Sequence, residues 1–153
     1  MTNRDSDKCI LITGATGKVG TAFIERILAD EKYSGYSIRA LCHNRVLPEN
    51  DRLEVVRGSV ADREVAARSV AGATHILHLA TCKETPEDVM DVTVKGLFWI
   101  LEEARASKTF EQFILLGGDA GMGHFFYPHP VPVTEEQGHS AYPGCYALSK
   151  VLE

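Results

Sequence analysis

Three glycines close to the start of the chain, Gly14, Gly17 and Gly20, stand at a spacing that can hold a phosphate group. Glycine lets a backbone turn tightly and approach a ligand closely, because no Cβ atom stands in the way. A helix that begins here would direct its first N–H groups and the positive end of its dipole at the same anion. The common dinucleotide fingerprint is G-x-G-x-x-G; Gly17 and Gly20 fit its second and third glycines, whereas the first is displaced to Gly14. These residues predict a pyrophosphate-binding turn, the alternative being a turn that serves only strand–helix packing.

The residues on either side of these glycines predict the elements that would place them. The apolar run 9–12 predicts a buried parallel strand. Apolar residues then recur at every fourth position, at Val19, Phe23 and Ile27, which predicts one face of an amphipathic helix. We expect the ligand to contact the turn through Gly14, Thr16, Gly17, Lys18, Val19 and Gly20.

Tyr146 and Lys150, four residues apart in the segment Tyr146-Ala-Leu-Ser-Lys150, form a second group with chemical potential. On a helix the two side chains lie on one face, about one turn apart. A lysine ammonium close to a phenol favours the phenolate and lowers the pKa of the tyrosine. We expect Tyr146 to exchange a proton with a substrate hydroxyl while a hydride moves between the substrate carbon and a nicotinamide. Taken alone, the spacing also fits a solvated helix face.

Strand and helix patterns alternate along the chain, which predicts βαβ units and a parallel sheet covered on both faces. A long irregular stretch, 117–141, is rich in glycine and proline and follows the fifth strand. It therefore leaves the carboxyl edge of the sheet, where open α/β sheets bind ligands. Strands are predicted near 8–13, 37–42, 53–57, 74–79 and 112–117, and helices near 18–30, 62–70, 87–107 and 141–153.

The composition of the 153-residue chain is ordinary for a globular protein, with 44% hydrophobic and 24% charged residues. The net charge of −5 and the lack of a basic cluster in the sequence argue against a nucleic-acid partner. No apolar run approaches the roughly 18 residues of a membrane helix, and the polar segment 1–8 is not a signal peptide. Cys9, Cys42, Cys82 and Cys145 form no C-x-x-C pair, which indicates free thiols in a reducing compartment. We expect a cytoplasmic protein.

Several segments together resemble one known family. The turn Thr13-Gly-x-x-Gly-x-x-Gly20 and the pair Tyr146-x-x-x-Lys150 occur in the order and spacing of the extended short-chain dehydrogenase/reductases, the NAD-dependent epimerase/dehydratase enzymes. His78-Leu79-Ala80-Thr81 resembles the family's turn after strand four, and Gly58-Ser59-Val60-Ala61-Asp62 resembles its turn after strand three. Segments 94–104 and 132–136 also match, so the resemblance extends from Lys8 to Glu153.

The resemblance implies a Rossmann-type, doubly wound parallel sheet and a nicotinamide dinucleotide cofactor. In that family the tyrosine is the catalytic acid/base, and the lysine also holds the nicotinamide ribose, which assigns these roles to Tyr146 and Lys150. The turn after strand four lies beside the cofactor and the turn after strand three meets the adenine. The positions implied are Leu79, Ala80 and Thr81 in the first turn and Ser59 and Val60 in the second.

Three positions depart from the family pattern. A catalytic Ser or Thr is expected just after strand five, where this chain has Gly118. Asp119 could replace that hydroxyl only when protonated, because a carboxylate repels a substrate oxyanion, and it fits a turn residue equally well. Thr93 stands where the family has an asparagine, and Ser59 where it has an aspartate; both keep a hydrogen-bonding hydroxyl.

The residues after the second strand bear on the choice between the two nicotinamide dinucleotides. An acidic residue there would bind the ribose of NAD, whereas an arginine accommodates the 2′-phosphate of NADP. The chain has His43, Asn44 and Arg45 at this point and no acid before Glu49. We expect NADP with Arg45, or less favourably the mid-strand Arg39, as the phosphate partner; NAD and a solvated arginine remain open.

The histidines show no spacing typical of a metal site. His124, His129 and His139 fall in the long irregular stretch, and His75 and His78 fall on the fourth strand. They are interpreted as packing or solvated residues, and no metal is predicted.

We therefore predict an NAD(P)-dependent oxidoreductase, epimerase or dehydratase that acts by hydride transfer on a sugar or nucleotide-sugar. The alternative is a dinucleotide-binding module with no catalysis, or an inactive fragment of such an enzyme, which the glycine at 118 favours. Members of the family continue well beyond the tyrosine–lysine helix, so 1–153 is interpreted as an incomplete NAD(P)-binding domain without its substrate-binding region. A homodimer is expected only for a full-length form.

Overall fold

The computed structural model describes residues 8–82 and 84–153, so the polar segment 1–7 and Lys83 lie outside the described residues. All strand pairs of the sheet are parallel, and the strand order is β3-β2-β1-β4-β5. The predicted α/β class and the five predicted strands are confirmed. Their bounds are β1 (Lys8–Thr13), β2 (Tyr36–Cys42), β3 (Leu53–Arg57), β4 (His75–His78) and β5 (Gln112–Leu115).

The helices are those the sequence predicts, with two differences. The predicted helix 87–107 is interrupted by a π-helical turn, Met90–Lys95. The predicted helix 141–153 begins only at Cys145, because Pro143 disfavours a helical conformation at the residue before it. The helices are α1 (Lys18–Ala29), α2 (Arg63–Val70), α3 (Pro86–Val89), α4 (Gly96–Ala106) and α5 (Cys145–Leu152), with short 3₁₀ turns at Glu31–Tyr33 and Asp119–Met122.

The order of the strands opens a crevice between β1 and β4. The chain leaves β1 toward β2 on one side of the sheet and leaves β4 toward β5 on the other. Thr13 at the end of β1 pairs with His78 at the end of β4. Such a reversal of strand order is the point at which open α/β sheets bind ligands, outside the carboxyl ends of the strands.

Two apolar cores cover the two faces of the sheet, as a doubly wound fold requires. Side chains of β1 alternate between them: Leu11 joins the cluster under α2 and α4, whereas Ile12 joins the cluster under α1. The buried face of α1 consists of Gly20, Ile24 and Ile27. Of the predicted stripe, Ile27 is buried and Phe23 packs against the same cluster, whereas the prediction for Val19 is wrong, because Val19 is 54% exposed.

The outer strand β5 is less covered than the sequence predicts. Its burial alternates along the strand, and Ile114 is 50% exposed on the face where α1 covers the other strands. The expectation of a sheet covered on both faces is therefore wrong at this edge among the described residues. Within residues 8–82 and 84–153, no helix is both long and apolar enough to cross a membrane.

Candidate active site

The glycine turn is built against the backbone that follows β4. Gly14 has φ = +66°, a conformation that favours glycine. A Cβ atom on Gly14 would lie 2.7 Å from the carbonyl carbon of Leu79 and 2.9 Å from the amide nitrogen of Ala80. The turn after β1 and the turn after β4 therefore touch, and only glycine permits that contact.

The first turn of α1 presents backbone donors at the crevice. Gly17 is the N-cap residue of the helix, and no described side chain caps it. The N–H of Gly17 itself donates to the carbonyl of Gly14 over 2.9 Å, which closes the turn. The next N–H groups have no partner within the helix, and together with the helix dipole they favour an anion at this position.

A cleft of about 440 Å³ lies over the carboxyl ends of the strands beside this turn. Leu41, Gly58 and Val92 line it, and sequence reasoning did not select them, although Gly58 belongs to a turn that the sequence marks. Lys18, Val19, Gly20, Asn44, Thr93 and Lys150 were predicted but are not among the lining residues. The predicted residues that the fold brings together here are Gly14, Thr16, Gly17, His43, Arg45, Ser59, Val60, Leu79, Ala80 and Thr81.

The buried hydroxyl of Thr13 joins the two strand ends at the floor of the cleft. Its Oγ1 accepts hydrogen bonds from the amides of Leu79 and Ala80, each over 3.1 Å, and lies 3.0 Å from Nδ1 of His78. A hydroxyl has two acceptor positions and one proton. Because both acceptor positions are filled, we assign Thr13 as the donor to Nδ1, which leaves the proton of the imidazole on Nε2.

His78 is fully buried, and its Nε2 has no hydrogen-bond partner among the described residues. The ring stacks on Phe113 with centroids 6.1 Å apart. Burial, and secondarily the positive charge of Lys150, lower the pKa of His78 to about 4. The imidazole is therefore neutral at physiological pH, as the interpretation as a packing histidine requires.

Thr93 supports the cleft from behind. It is fully buried on the π-helical turn, and its Oγ1 accepts a hydrogen bond from the amide of Cys82 over 3.0 Å. The same hydroxyl lies 3.4 Å from that of Thr81, which does line the cleft. Thr93 does not line the cleft, because its hydroxyl holds the segment after β4, and a contact of Thr93 with the cofactor stays a prediction.

Of the two arginines that the sequence offers to a 2′-phosphate, only Arg45 is available. Arg45 is exposed and lines the cleft with His43. Arg39 donates from Nε to Glu54 over 3.1 Å and from its terminal nitrogen to the carbonyls of Ser69 and Ala71 near the end of α2. Arg39 is thus committed to structural contacts and is excluded as the phosphate partner.

The tyrosine and the lysine share α5, as the spacing predicts, but they do not form the predicted pair. The ammonium of Lys150 donates to both carboxylate oxygens of Glu153, over 2.9 and 2.7 Å. These two side chains are only 3% and 2% exposed. The same ammonium lies 5.5 Å from the centroid of the Tyr146 ring.

The predicted lowering of the tyrosine pKa is wrong in this structure. Burial raises the pKa of Tyr146, the negative charges of Glu153 and Asp119 raise it further, and a hydrogen bond with the Thr81 hydroxyl only partly offsets them. The Lys150 ammonium is paired with Glu153, whose negative charge acts on the tyrosine in the opposite direction. Tyr146 is a neutral phenol at physiological pH.

Gly118 and Asp119 lie where β5 leads into the short 3₁₀ turn. A Cβ atom on Gly118 would lie 3.1 to 3.3 Å from the Cδ, Cε and Cγ atoms of Lys150. The aliphatic part of the lysine therefore occupies the space in which a serine or threonine side chain would begin. The side chain of Asp119 is 67% exposed, and its carboxylate lies 3.6 Å from Nε2 of His124.

The remaining cysteines and histidines do not assemble a metal site within the described part of the chain. No group of three or more His, Cys, Asp or Glu side chains there could hold a metal ion. All four cysteines are free in the structure, Cys42 buried and the other three partly buried.

The chain was compared with known families and proteins. Residues 10–152 match the NAD dependent epimerase/dehydratase family. Oxidoreductase AgnL4 of Paecilomyces divaricatus is 31% identical over 81 residues, covering 48% of this chain and 30% of that protein. Ketoreductase CTB6 of Cercospora nicotianae is 27% identical over 158 residues, covering 86% of this chain and 43% of the relative.

A solved structure gives the same picture of the fold. The uronate dehydrogenase of Agrobacterium tumefaciens, in a mutant form complexed with NAD, superimposes with a TM-score of 0.80 at 25% identity. The match covers 95% of this chain and 52% of the dehydrogenase. The chain thus spans about half the length of this structure, and less than half of either curated relative.

Proposed function

The chain belongs to the NAD dependent epimerase/dehydratase family, and on that premise we propose that it acts as an NAD(P)-dependent oxidoreductase. The observation that carries the proposal is the cleft of about 440 Å³ between the ends of β1 and β4. At one side of this cleft α1 begins without a side-chain cap, and at the other Thr81 interacts with Tyr146. An anion site therefore borders the cleft on one side, and Thr81 on the other side connects it to Tyr146, which itself is not among the lining residues.

The residues of the cleft fit a nicotinamide dinucleotide. The backbone of Gly14 and Gly17 and the first amides of α1 would hold the diphosphate. Gly58 and Ser59 would border the adenine end, and Thr81 would border the nicotinamide end. The bound dinucleotide would supply or accept the hydride, and the other groups of the reaction come from the chain itself.

Tyr146 would be the proton donor or acceptor of the reaction. Because its pKa is raised, its phenol carries the proton at neutral pH, and this state suits donation to a carbonyl oxygen that is being reduced. The ion pair of Lys150 with Glu153 leaves the lysine as a support of α5 in this structure. Contact of Lys150 with the ribose would require its ammonium to leave that carboxylate.

Hydride transfer at a hydroxyl or carbonyl carbon of a sugar or nucleotide-sugar remains our proposed substrate chemistry. The uronate dehydrogenase supports a sugar, and the ketoreductase supports reduction of a carbonyl. The proposal also includes a cytoplasmic location, in keeping with the four free thiols, and a homodimer for any longer form.

A second candidate function is a dinucleotide-binding module without catalysis. It is favoured by the space at Gly118, which Lys150 fills, and by the Lys150–Glu153 pair. Asp119 does not restore the missing hydroxyl, because a carboxylate charge opposes a substrate oxyanion.

We further propose NADP over NAD, because the exposed Arg45 and His43 line the cleft beyond β2 and can meet a 2′-phosphate. Calorimetric titration of the chain with NADPH and NADH tests both statements. We expect tighter binding of NADPH, and Arg45→Gln should weaken NADPH about tenfold while changing NADH little. Absence of binding by either dinucleotide would refute the proposed function, and tighter binding of NADH would refute the preference.

Turnover separates the two candidate functions. With the preferred dinucleotide and a panel of sugars, nucleotide-sugars and ketones, Tyr146→Phe should reduce the rate at least about a hundredfold. The matched control is Tyr142→Phe, which removes the hydroxyl of a tyrosine that lies just before the start of α5. Dinucleotide binding without any turnover on the panel would favour the binding module.

A further inference from the structure

The start of α5 is held by a residue that is distant in the sequence. Its own N-cap residue, Gly144, offers no side chain to the free amides of the first turn. The carboxylate of Glu84 takes that place and accepts a hydrogen bond from the amide of Tyr146 over 3.3 Å. A carboxylate at this position both satisfies an unpaired donor and interacts favourably with the positive end of the helix dipole.

The glycine before the helix makes room for this carboxylate. A Cβ atom on Gly144 would lie 2.8 Å from Oε1 of Glu84 and 3.0 Å from the ring of Tyr142. The approach of Glu84 to the helix therefore depends on the absence of a side chain at position 144. The Glu84 carboxylate therefore occupies space that a side chain at the N-cap position would need.

The titration of the Cys145 thiol, which lies in the same first turn of α5, is coupled to the same carboxylate. Burial, then a hydrogen bond to Glu84 and its negative charge, raise the pKa of Cys145. Hydrogen bonds from the thiol and from the Tyr146 amide, in that order, lower the pKa of Glu84. The carboxylate is thus ionised at neutral pH and receives donors from two consecutive residues of α5.

Glu84 belongs to the segment that forms one wall of the cleft. This segment begins at Thr81, which lines the cleft and interacts with Tyr146, and it is held from behind by the bond from Cys82 to Thr93. Through Glu84 the same segment also accepts a hydrogen bond from the backbone amide of Tyr146. The hydrogen bond of Glu84 therefore connects the cleft wall to the helix that carries the tyrosine.

We propose that Glu84 is a positioning residue that fixes the first turn of α5 against the cleft wall and so sets where the Tyr146 hydroxyl lies relative to the bound dinucleotide. This inference rests on the proposed function. Glu84 does not touch the reacting atoms and acts through the backbone of the tyrosine. Small displacements of a reacting group are costly in enzymes, so the tie has a measurable effect on rate.

Glu84→Ala and Glu84→Gln separate the two contributions of the side chain, with Glu87→Ala on the exposed face of α3 as the matched control. Hydrogen exchange of the Tyr146 amide and alkylation of Cys145 by iodoacetamide, both read by mass spectrometry, report on the tie directly. In Glu84→Ala we expect exchange about fivefold faster and faster alkylation at pH 8. In Glu84→Gln the amide oxygen still accepts the bond, so exchange stays slow while the loss of charge speeds alkylation.

The kinetic readout distinguishes positioning from a general loss of structure. In Glu84→Ala we expect kcat to fall about tenfold with the dinucleotide Kd unchanged, and Glu84→Gln to recover most of that loss. Unchanged exchange and alkylation in Glu84→Ala, or an unchanged kcat, would overturn the inference. Failure of the parent chain to bind a dinucleotide would instead refute the proposed function, and exchange and alkylation would still show whether Glu84 ties α5 to the cleft wall.

Discussion

The crevice between β1 and β4 and the region around α5 are organised in different ways. In the crevice, contacts are made by backbone and by one neutral network, in which Thr13 joins the amides of Leu79 and Ala80 to His78. Around α5, the arrangement depends on charged side chains, chiefly the buried pair of Lys150 and Glu153. A neutral, backbone-based site keeps its geometry as pH and salt change, whereas a charge-based site responds to the loss of one partner.

The difference extends to the surroundings of each region. The crevice has buried strands on both sides, and its floor residues Thr13 and His78 are fully buried. The segment between β5 and α5 is largely exposed and carries large apolar side chains at the surface, with Phe125 79% and Val131 87% exposed. The comparison leads us to expect that the proposed dinucleotide binding is less sensitive to substitution than the proposed acid–base chemistry.

The substitution with the largest expected effect on the crevice adds one methyl group to the glycine turn. Gly14→Ala combines a positive φ with a collision against backbone atoms of Leu79 and Ala80 that cannot rotate away. We expect the free energy of unfolding to fall by roughly 4 kcal/mol, and dinucleotide binding to be lost in any folded material. Chemical denaturation and calorimetry measure these two effects.

Gly72→Ala is the matched control for that change. Gly72 has φ = +74°, close to the value at Gly14, but a Cβ atom on it would meet nothing within 4 Å. Its cost should be only the backbone strain, about 1 kcal/mol, with dinucleotide affinity unchanged. Equal losses in the two variants would mean that the contact between the two turns contributes nothing.

The neutral network of the crevice predicts a dependence of stability on pH. The unfolded chain binds the His78 proton near pH 6.5, whereas the folded chain binds it only near pH 4. Unfolding therefore takes up a proton between these values, and the free energy of unfolding falls as pH decreases from about 6.5 to about 4. The contribution is on the order of 3 kcal/mol and is fully present above pH 6.5.

Urea denaturation across this pH range, compared with His78→Gln, measures the effect. The difference between parent and variant should shrink as pH falls, whereas His139→Gln, in the exposed part of the long loop, should follow the parent. Because the variant can also lose packing against Phe113, an NMR titration of the parent imidazole provides an independent measurement. A midpoint near 6.5 in the folded protein contradicts the assignment of a buried neutral ring.

The two regions also differ in how well the sequence predicts them. Strands, glycine turn and crevice follow from local patterns, since apolar runs, glycine spacing and strand order determine them together. The role of Thr13 could not be derived from its position, because it depends on the register that brings His78 and Leu79 beside it. The exposure of Val19 could not be predicted either. Three apolar residues at helical spacing define the buried face of a helix only to within about one position.

Around α5 the sequence predicts the residues but not their charge partners. The spacing of Tyr146 and Lys150 correctly places both on one helix, yet the pKa of the tyrosine moves in the opposite direction. Local spacing could not show that Lys150 would prefer Glu153, or that Glu84 would reach α5 from the segment after β4. Both contacts involve long side chains with several acceptors within range, and tertiary packing selects among them.

The substitution with the smallest expected effect is Glu153→Gln, which removes one negative charge from the α5 region. With Glu153 neutral, its contribution to the raised pKa of Tyr146 is lost and the Lys150 ammonium is free to favour the phenolate, so the tyrosine pKa should move down. Carbonyl reduction requires the protonated phenol, so the alkaline limb of its pH–rate profile should shift to lower pH in the variant.

Glu136→Gln, which neutralises an exposed carboxylate in the long loop, should leave the limb in place. The glycine turn contains no part of this charge arrangement, but Lys150 released from Glu153 can reach the ribose of the proposed dinucleotide. The dinucleotide Kd should therefore equal that of the parent in Glu136→Gln, and it should stay the same or fall in Glu153→Gln. An alkaline limb that does not move, or weaker dinucleotide binding in Glu153→Gln, would show that the Lys150–Glu153 pair does not control the protonation of Tyr146 in this way.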